Sequence, residues 1–598
     1  MRGGKFAGLG AALLQLAIGG SALGANIVWT NVSGGNWNVS NNWSPNQVPG
    51  VSDTALITNS GTYTVTITTV VGVSNVFLGS SSGTQTLTLS SGSLNATNIS
   101  AQTTNGAISL AGGTIANATI NLTNGTSLIV QSGTLNRVTM GGTLDVGASV
   151  NGANLTVTNG LTLNGMALVG NPTNGNYGGM DFAGSQTLGG SGTVVFGEQN
   201  AAYNALYLAD GGTTLTVGPN MTIEGQNGTI GSGSTWGGAQ TVSVVNQGLI
   251  SADVSGGTID ITAQPFINKA VAQGINGGSL SINVLLNNSG AMVIMNGAGS
   301  LSLNGVWTNG GAINATNATV NLGGGFTLAT LGTLTRSGGT VNLTGVLTNT
   351  SPTLALTAAS GSWVLDGGTV LGGTITTAGG ASLVVNNGTF NGVTMGGTLD
   401  VGASVNGANL TVTNGLTLNG MALVGNPTNG NYGGMDFAGS QTLGGSGTVV
   451  FGEQNAAYNA LYLADGGTTL TVGPNMTIEG QNGTIGSGST WGGAQTVSVV
   501  NQGLISADVS GGTIDITAQP FINKAVAQGI NGGSLSINVL LNNSGAMVIM
   551  NGAGSLSLNG VWTNGGAINA TNATVNLGGG FTLATLGTLT RSGGTVNL

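Results

Sequence analysis

Thr258-Ile-Asp-Ile261, Ser279-Leu-Ser-Ile282, Ser300-Leu-Ser-Leu303, Thr319-Val-Asn-Leu322 and Thr340-Val-Asn-Leu343 return at steps of 21, 21, 19 and 21 residues. Polar and apolar side chains alternate in each quartet. An extended chain sends two of them to one face and two to the other, the pattern of a half-buried strand. Gly-Gly at 256, 277 and 338 directly precedes three of the quartets, supplying turns that other residues adopt only with strain. A second apolar group (Phe266, Val306-Trp307, Phe326, Val346-Leu347) follows six to eight residues after the start of most quartets. One period therefore holds two or three short strands separated by Gly/Asn turns. Thr193-Val-Val-Phe196 and Thr214-Leu-Thr-Val217 carry the same 21-residue step upstream.

A period of about 21 residues is too short for a propeller blade, and the chain lacks the leucine-rich consensus. The spacing predicts an all-β fold, a right-handed parallel β-helix (β-solenoid) whose rungs of about 21 residues stack through strand hydrogen bonds. In this register Ile259, Leu280, Leu301, Val320 and Val341 form one inward ladder, and Ile261, Ile282, Leu303, Leu322 and Leu343 form its neighbour. Asp260, Ser281, Ser302, Asn321 and Asn342 form an outer polar stripe. A set of separate β-sandwiches would instead show domain-sized linkers and irregular strand spacing.

A longer repeat contains the short one: residues 138–343 recur, residue for residue, as 393–598, an offset of 255. Weaker matches continue upstream, where Leu110, Gly112, Gly113 and Thr114 correspond to Leu365, Gly367, Gly368 and Thr369. The expected organisation is a signal peptide at 1–25, an N-terminal cap and first rungs at 26–109, one repeat unit at 110–364 and a second at 365–598. Leu598 is the counterpart of Leu343, after which the first copy runs on, so the second unit is expected to be incomplete and the chain truncated.

The 598 residues include no Cys and no His, 114 Gly, and 7 Lys+Arg against 16 Asp+Glu. That removes disulfides, zinc sites, and Cys- or Ser-His-based nucleophiles from consideration. Five Lys/Arg beyond residue 25 offer no electrostatic footprint for nucleic acid. Arg2 and Lys5 flank an apolar stretch from Phe6 to Ile18, followed by Gly20-Ser-Ala-Leu-Gly-Ala25. This is the pattern of a secretory signal peptide cut between Ala22 and Ala25. No later stretch has the ~18 apolar residues that span a bilayer, so no membrane insertion is expected.

Three of the eight tryptophans, Trp29, Trp37 and Trp43, fall in the opening segment, with Pro45, Pro49 and Asp53 after them. Large aromatics cover an open rung, and prolines block further strand pairing, so this segment is the expected cap. The strings Gly35-Asn36-Trp37, Asn42-Trp43-Ser44-Pro45, Val48-Pro49-Gly50 and Asp53-Thr54-Ala55 resemble the start of giant bacterial β-strand-repeat surface proteins. Leu155-Thr-Val-Thr-Asn-Gly-Leu-Thr-Leu-Asn-Gly165 and Gly338-Gly-Thr-Val-Asn-Leu-Thr344 are similar to their repeats. The resemblance implies an adhesin-like or autotransporter-associated protein, secreted or held at the bacterial cell surface.

Asp181, Glu198, Asp210 and Glu224 lie in the least regular part of the unit beside Tyr177, Tyr203, Tyr207 and Trp236. Two carboxylates are the machinery of a glycoside hydrolase or polysaccharide lyase, and aromatic rings offer apolar faces to a sugar. No Lys or Arg is near them in sequence to stabilise developing charge. The same group returns as Tyr432, Asp436, Glu453, Tyr458, Asp465, Glu479 and Trp491, with Tyr462. Tandem identical sites add avidity to a weak binder and little to an enzyme. The expectation is therefore a structural or adhesin-like solenoid, a rigid stalk or a multivalent binder of surface glycans or extracellular matrix, with no catalytic residues, metal or cofactor. Neither an EF-hand loop nor a calcium-roll repeat occurs. An ice-binding face, the third reading, requires a more uniform outward array than Thr258/Asp260, Ser279/Ser281 and Thr319/Asn321 provide.

Overall fold

The computed structural model describes residues 24–101, 103–123 and 125–598. Of the signal peptide expected at 1–25, residues 1–23 lie outside the described residues. The chain forms two compact units, one ending at Asp145 and one running from Val146 to Leu598. Each is a parallel β-solenoid, with about 22 residues per turn and almost no helix.

In the first unit, Asn26–Trp29 pairs antiparallel with Trp43–Ser44 and parallel with Thr54–Ile57. Ala55, Val76, Ile99, Ile120 and Met140 then stack as successive in-register, buried partners. Trp29, Trp37 and Trp43 are buried. The Trp43 ring meets Trp29 edge-on at 4.9 Å and Trp37 at 4.8 Å, and its Nε1 donates to Trp37 O at 2.6 Å.

In the second unit strands build three parallel sheets turn by turn, and long strands such as Ala153–Leu163 and Trp363–Leu371 run across two of them. The first sheet runs from Gly178–Phe182 through Ala205–Tyr207, Asn227–Gly231 and the five quartets. Both predicted inward ladders are in register and buried, and the outer stripe is half-buried. Each fully buried aliphatic side chain contributes ~1.5–3 kcal/mol, and strand pairing holds the stack at about 4.8 Å per rung. In the second sheet Phe266 stands next to Leu285, and the Trp307 and Phe326 rings stack at 4.7 Å.

The upstream quartets depart from expectation. Thr193–Phe196 lies in the third sheet, where Val194 pairs with Ile223; Thr214–Val217 lies in the second, where Leu215 pairs with Val244. Their spacing of 21 residues therefore joins two different faces. Long turns in this region stretch the rung, and Met166, Thr193, Thr222 and Leu249 are successive partners in the third sheet.

A buried asparagine ladder runs where the second sheet meets its next corner. Asn246 Nδ2 donates to Asn268 Oδ1 at 2.9 Å, Asn268 Nδ2 to Asn287 Oδ1 at 2.9 Å, and Asn287 Nδ2 to Asn309 Oδ1 at 2.7 Å. Asn268 Nδ2 also reaches Met292 O at 3.0 Å, and Asn309 Nδ2 closes the ladder on Leu331 O and Thr333 O. Buried polar groups are as a rule partnered, and stacking identical amides partners them one turn at a time. Asn501, Asn523, Asn542 and Asn564 repeat the ladder.

The 255-residue offset is not a whole number of turns. Leu343, Leu365, Val385, Val401 and Val424 are successive partners, so the first sheet continues into Met421–Val424. The counterpart of that strand, Met166–Val169, belongs to the third sheet. Likewise Phe326, Leu347, Val370, Phe390, Val412 and Phe437 carry the second sheet into Gly433–Phe437. The counterpart Gly178–Phe182 belongs to the first. The second copy is thus displaced around the solenoid by one sheet.

Candidate binding site

The outer face of the first sheet carries Gly179 and Asp181 on Gly178–Phe182, with Ala205 and Tyr207 beside them on the next strand. The long turn after Asn227–Gly231 folds back over this face. Ser232 Oγ donates to Gly238 O, Gln240 Nε2 to Ser232 Oγ, and Ala239 N to Leu208 O. These bonds set Trp236, in a short 3-10 turn, flat against the sheet. Gly179 is required for that approach, because a Cβ there would stand 2.8 Å from the Trp236 ring. Trp236 Nε1 donates to Tyr203 O at 2.9 Å, tying the turn to the one that carries Tyr203.

Four rings assemble as a result. Tyr207 is buried beneath Trp236, stacked at 6.1 Å with an interplanar angle of 17°, and its hydroxyl donates to Asn154 Oδ1 at 3.1 Å. Tyr177 lies 4.9 Å from Tyr203 and 5.9 Å from Trp236. Tyr203 is the outermost, 39% exposed. Asp181 borders this group: Ala209 N donates to its Oδ1 at 3.2 Å. Burial pushes its carboxyl above the ordinary range, and repulsion from Asp210 adds to the rise, while the Ala209 bond opposes it. Burial likewise raises the Tyr207 phenol, against the bond to Asn154.

Of the residues singled out in the sequence, Tyr177, Tyr203, Trp236 and Asp181 therefore come together, with Asp210 exposed in the adjoining turn. Glu224 does not join them. It lies in the third sheet, its carboxyl raised by burial and by the neighbouring Asp253. Glu198 sits in the turn after Thr193–Phe196, where its backbone N–H and C=O are engaged by Asn171 O and Asn227 Nδ2. Sequence reasoning did not single out Gly179 or Asn154. The Gly178-Gly179 pair within a strand is the signal for such a close approach.

The second copy reproduces the site. Tyr432 is 4.9 Å from Tyr458 and 5.9 Å from Trp491, Tyr462 stacks beneath Trp491 at 6.0 Å, and Ala464 N donates to Asp436. Asp465 is exposed beside Asp436, Glu453 occupies the turn equivalent to that of Glu198, and Glu479 is raised by burial and Asp508. The two sites differ in place: Gly433–Phe437 continues the second sheet of the first copy, while Gly178–Phe182 lies in its first.

Among the described residues no cluster of three or more His, Cys, Asp or Glu is arranged to hold a metal ion, and no helix is long and apolar enough to cross a membrane. In comparisons with known proteins, no family model, no curated protein and no solved structure matched the chain.

Proposed function

We propose that this chain is an exported, adhesin-like surface β-solenoid of bacterial type whose aromatic patches bind neutral glycans. The observation that carries the reading is the grouping of Tyr177, Tyr203 and Trp236 with Asp181 on one outer face. Exposed ring faces accept the C–H side of a sugar, and a carboxylate at their border accepts hydroxyl hydrogen bonds. Two carboxylates near the rings, with no cation contributing at Asp181, disfavour acidic polysaccharides by like-charge repulsion. The tryptophan cluster of residues 26–57 serves as the solenoid's N-terminal cap. Export rests on the Arg2/Lys5 and Phe6–Ile18 pattern.

Binding to an array of neutral and acidic oligosaccharides tests the reading. Tyr203→Ala combined with Tyr458→Ala should abolish binding to neutral members while leaving the far-UV circular dichroism unchanged; unchanged binding overturns the assignment of the patch. Polysaccharide cleavage that is lost on changing Glu198 or Asp210 together with its counterpart replaces the binder with an enzyme. N-terminal sequencing of protein recovered from the cell exterior should begin between Leu23 and Ala25.

A further inference from the structure

The two patches share one sequence and one internal geometry but occupy different sheets. Gly178–Phe182 connects through Ala205–Tyr207 and Asn227–Gly231 to the quartet ladder. Gly433–Phe437 connects upstream through Val412, Phe390, Val370 and Leu347 to Phe326, and so to the sheet one corner away. The patches are separated along the solenoid by roughly eleven turns, on the order of 50 Å at about 4.8 Å per turn. They also lie on the outer faces of two different sheets.

We infer that one chain bridges two glycan-bearing partners on different sides of the solenoid and does not clamp a single plane with both patches. This rests on the glycan reading above. Identical copies displaced by a whole number of turns would share a face, and simultaneous contact with one surface would raise avidity by ~10²–10⁴. Displacement by one sheet forbids that gain, because avidity vanishes when the geometry does not allow both contacts. When one patch lies against a plane, the other is left free for a second partner. The displacement follows from a repeat that does not close a whole number of turns.

The test uses the full chain in two arms. The first needs no ligand. Thr389 and Thr411 are outward-facing partners on adjacent strands at the junction of the copies, and strand spacing suits a disulfide. The protein has no other thiol, so Thr389→Cys with Thr411→Cys should cross-link on mild oxidation. Failure to cross-link overturns the sheet displacement. The second arm uses cellohexaose, xylohexaose and laminarihexaose immobilised on a planar layer and on beads. On the plane, Tyr203→Ala and Tyr458→Ala should each dissociate within about three-fold of the unsubstituted chain. On beads, the unsubstituted chain should cause clustering that either variant loses. A 100-fold faster dissociation of both single variants from the plane, or bead clustering by a single-patch variant, overturns bridging. Binding that survives Tyr203→Ala with Tyr458→Ala, or no binding to any of the three sugars, overturns the glycan reading and bridging with it, and the cross-link result separates that failure from an error in the fold.

Discussion

Rungs 258–343 and the rungs at 166–257 share the same three sheets and are built differently. In the former, short turns bring equivalent residues into register every 19 to 21 residues, and aliphatic ladders stack with little variation. In the latter, Val194 reaches Ile223 and Leu215 reaches Val244 only after long turns, and one of those turns lays Trp236 over the sheet. Both interiors are closed by buried apolar residues. The difference lies outside the sheets: where turns are short the outer face of the first sheet is a polar stripe, and where they are long it acquires an assembled set of rings. Stability is therefore concentrated in the ladders, and the proposed recognition in the turns.

Substitutions sharpen or break this contrast, and the intact second copy gives an internal reference in hydrogen exchange. The largest effect is expected from Leu301→Asp, which buries an unpaired carboxylate in the ladder and should cost at least ~4 kcal/mol. Ser302→Asp on the outer stripe should stay within about 0.5 kcal/mol, and equal denaturation midpoints for the two variants would contradict the assigned faces. Asn268→Ala removes one amide of the buried ladder and leaves Asn287 Oδ1 without its donor from the preceding turn. A loss of about 2–3 kcal/mol is expected, read as faster exchange around Asn246–Asn309 and not around Asn501–Asn564. Gly179→Ala drives a methyl group against Trp236. It should cost about 1–2 kcal/mol, shift indole emission to the red and weaken neutral-glycan binding, with the quartet ladder unaffected; unchanged emission would place Trp236 elsewhere.

The smallest effect is electrostatic. Burial raises the carboxyls of Asp181 and Asp436 in the folded chain, so the native state holds these protons more tightly than the unfolded one. Stability contributed by the protonated forms is lost as pH rises from the ordinary value of 3.8 through the raised folded values. Asp181→Asn with Asp436→Asn should flatten that part of the stability profile of the second unit. Asp53 has the opposite sign: N–H groups of Gly50 and Ala25 hold its carboxyl below the ordinary value. Its contribution is present above 3.8 and lost as pH falls. A second-unit profile unchanged by the paired Asn substitutions would place Asp181 and Asp436 in solvent.

The quartets by themselves determine the strand type, the inward and outward faces and the register of Ile259 through Val341, because alternation and burial are properties of each short segment and its period. They also place Tyr177, Tyr203 and Trp236 within one irregular stretch. Only the tertiary structure decides which sheet each strand joins once turns lengthen, which is why Thr193–Phe196 and Thr214–Val217, 21 residues apart, occupy different faces. It likewise pairs Asn246 with Asn268, seats Trp236 on Gly179, and separates Glu224 from the rings. The same cause sets the two copies on different sides: the face a residue occupies depends on the summed path length of every preceding turn, a quantity that no single stretch of sequence carries.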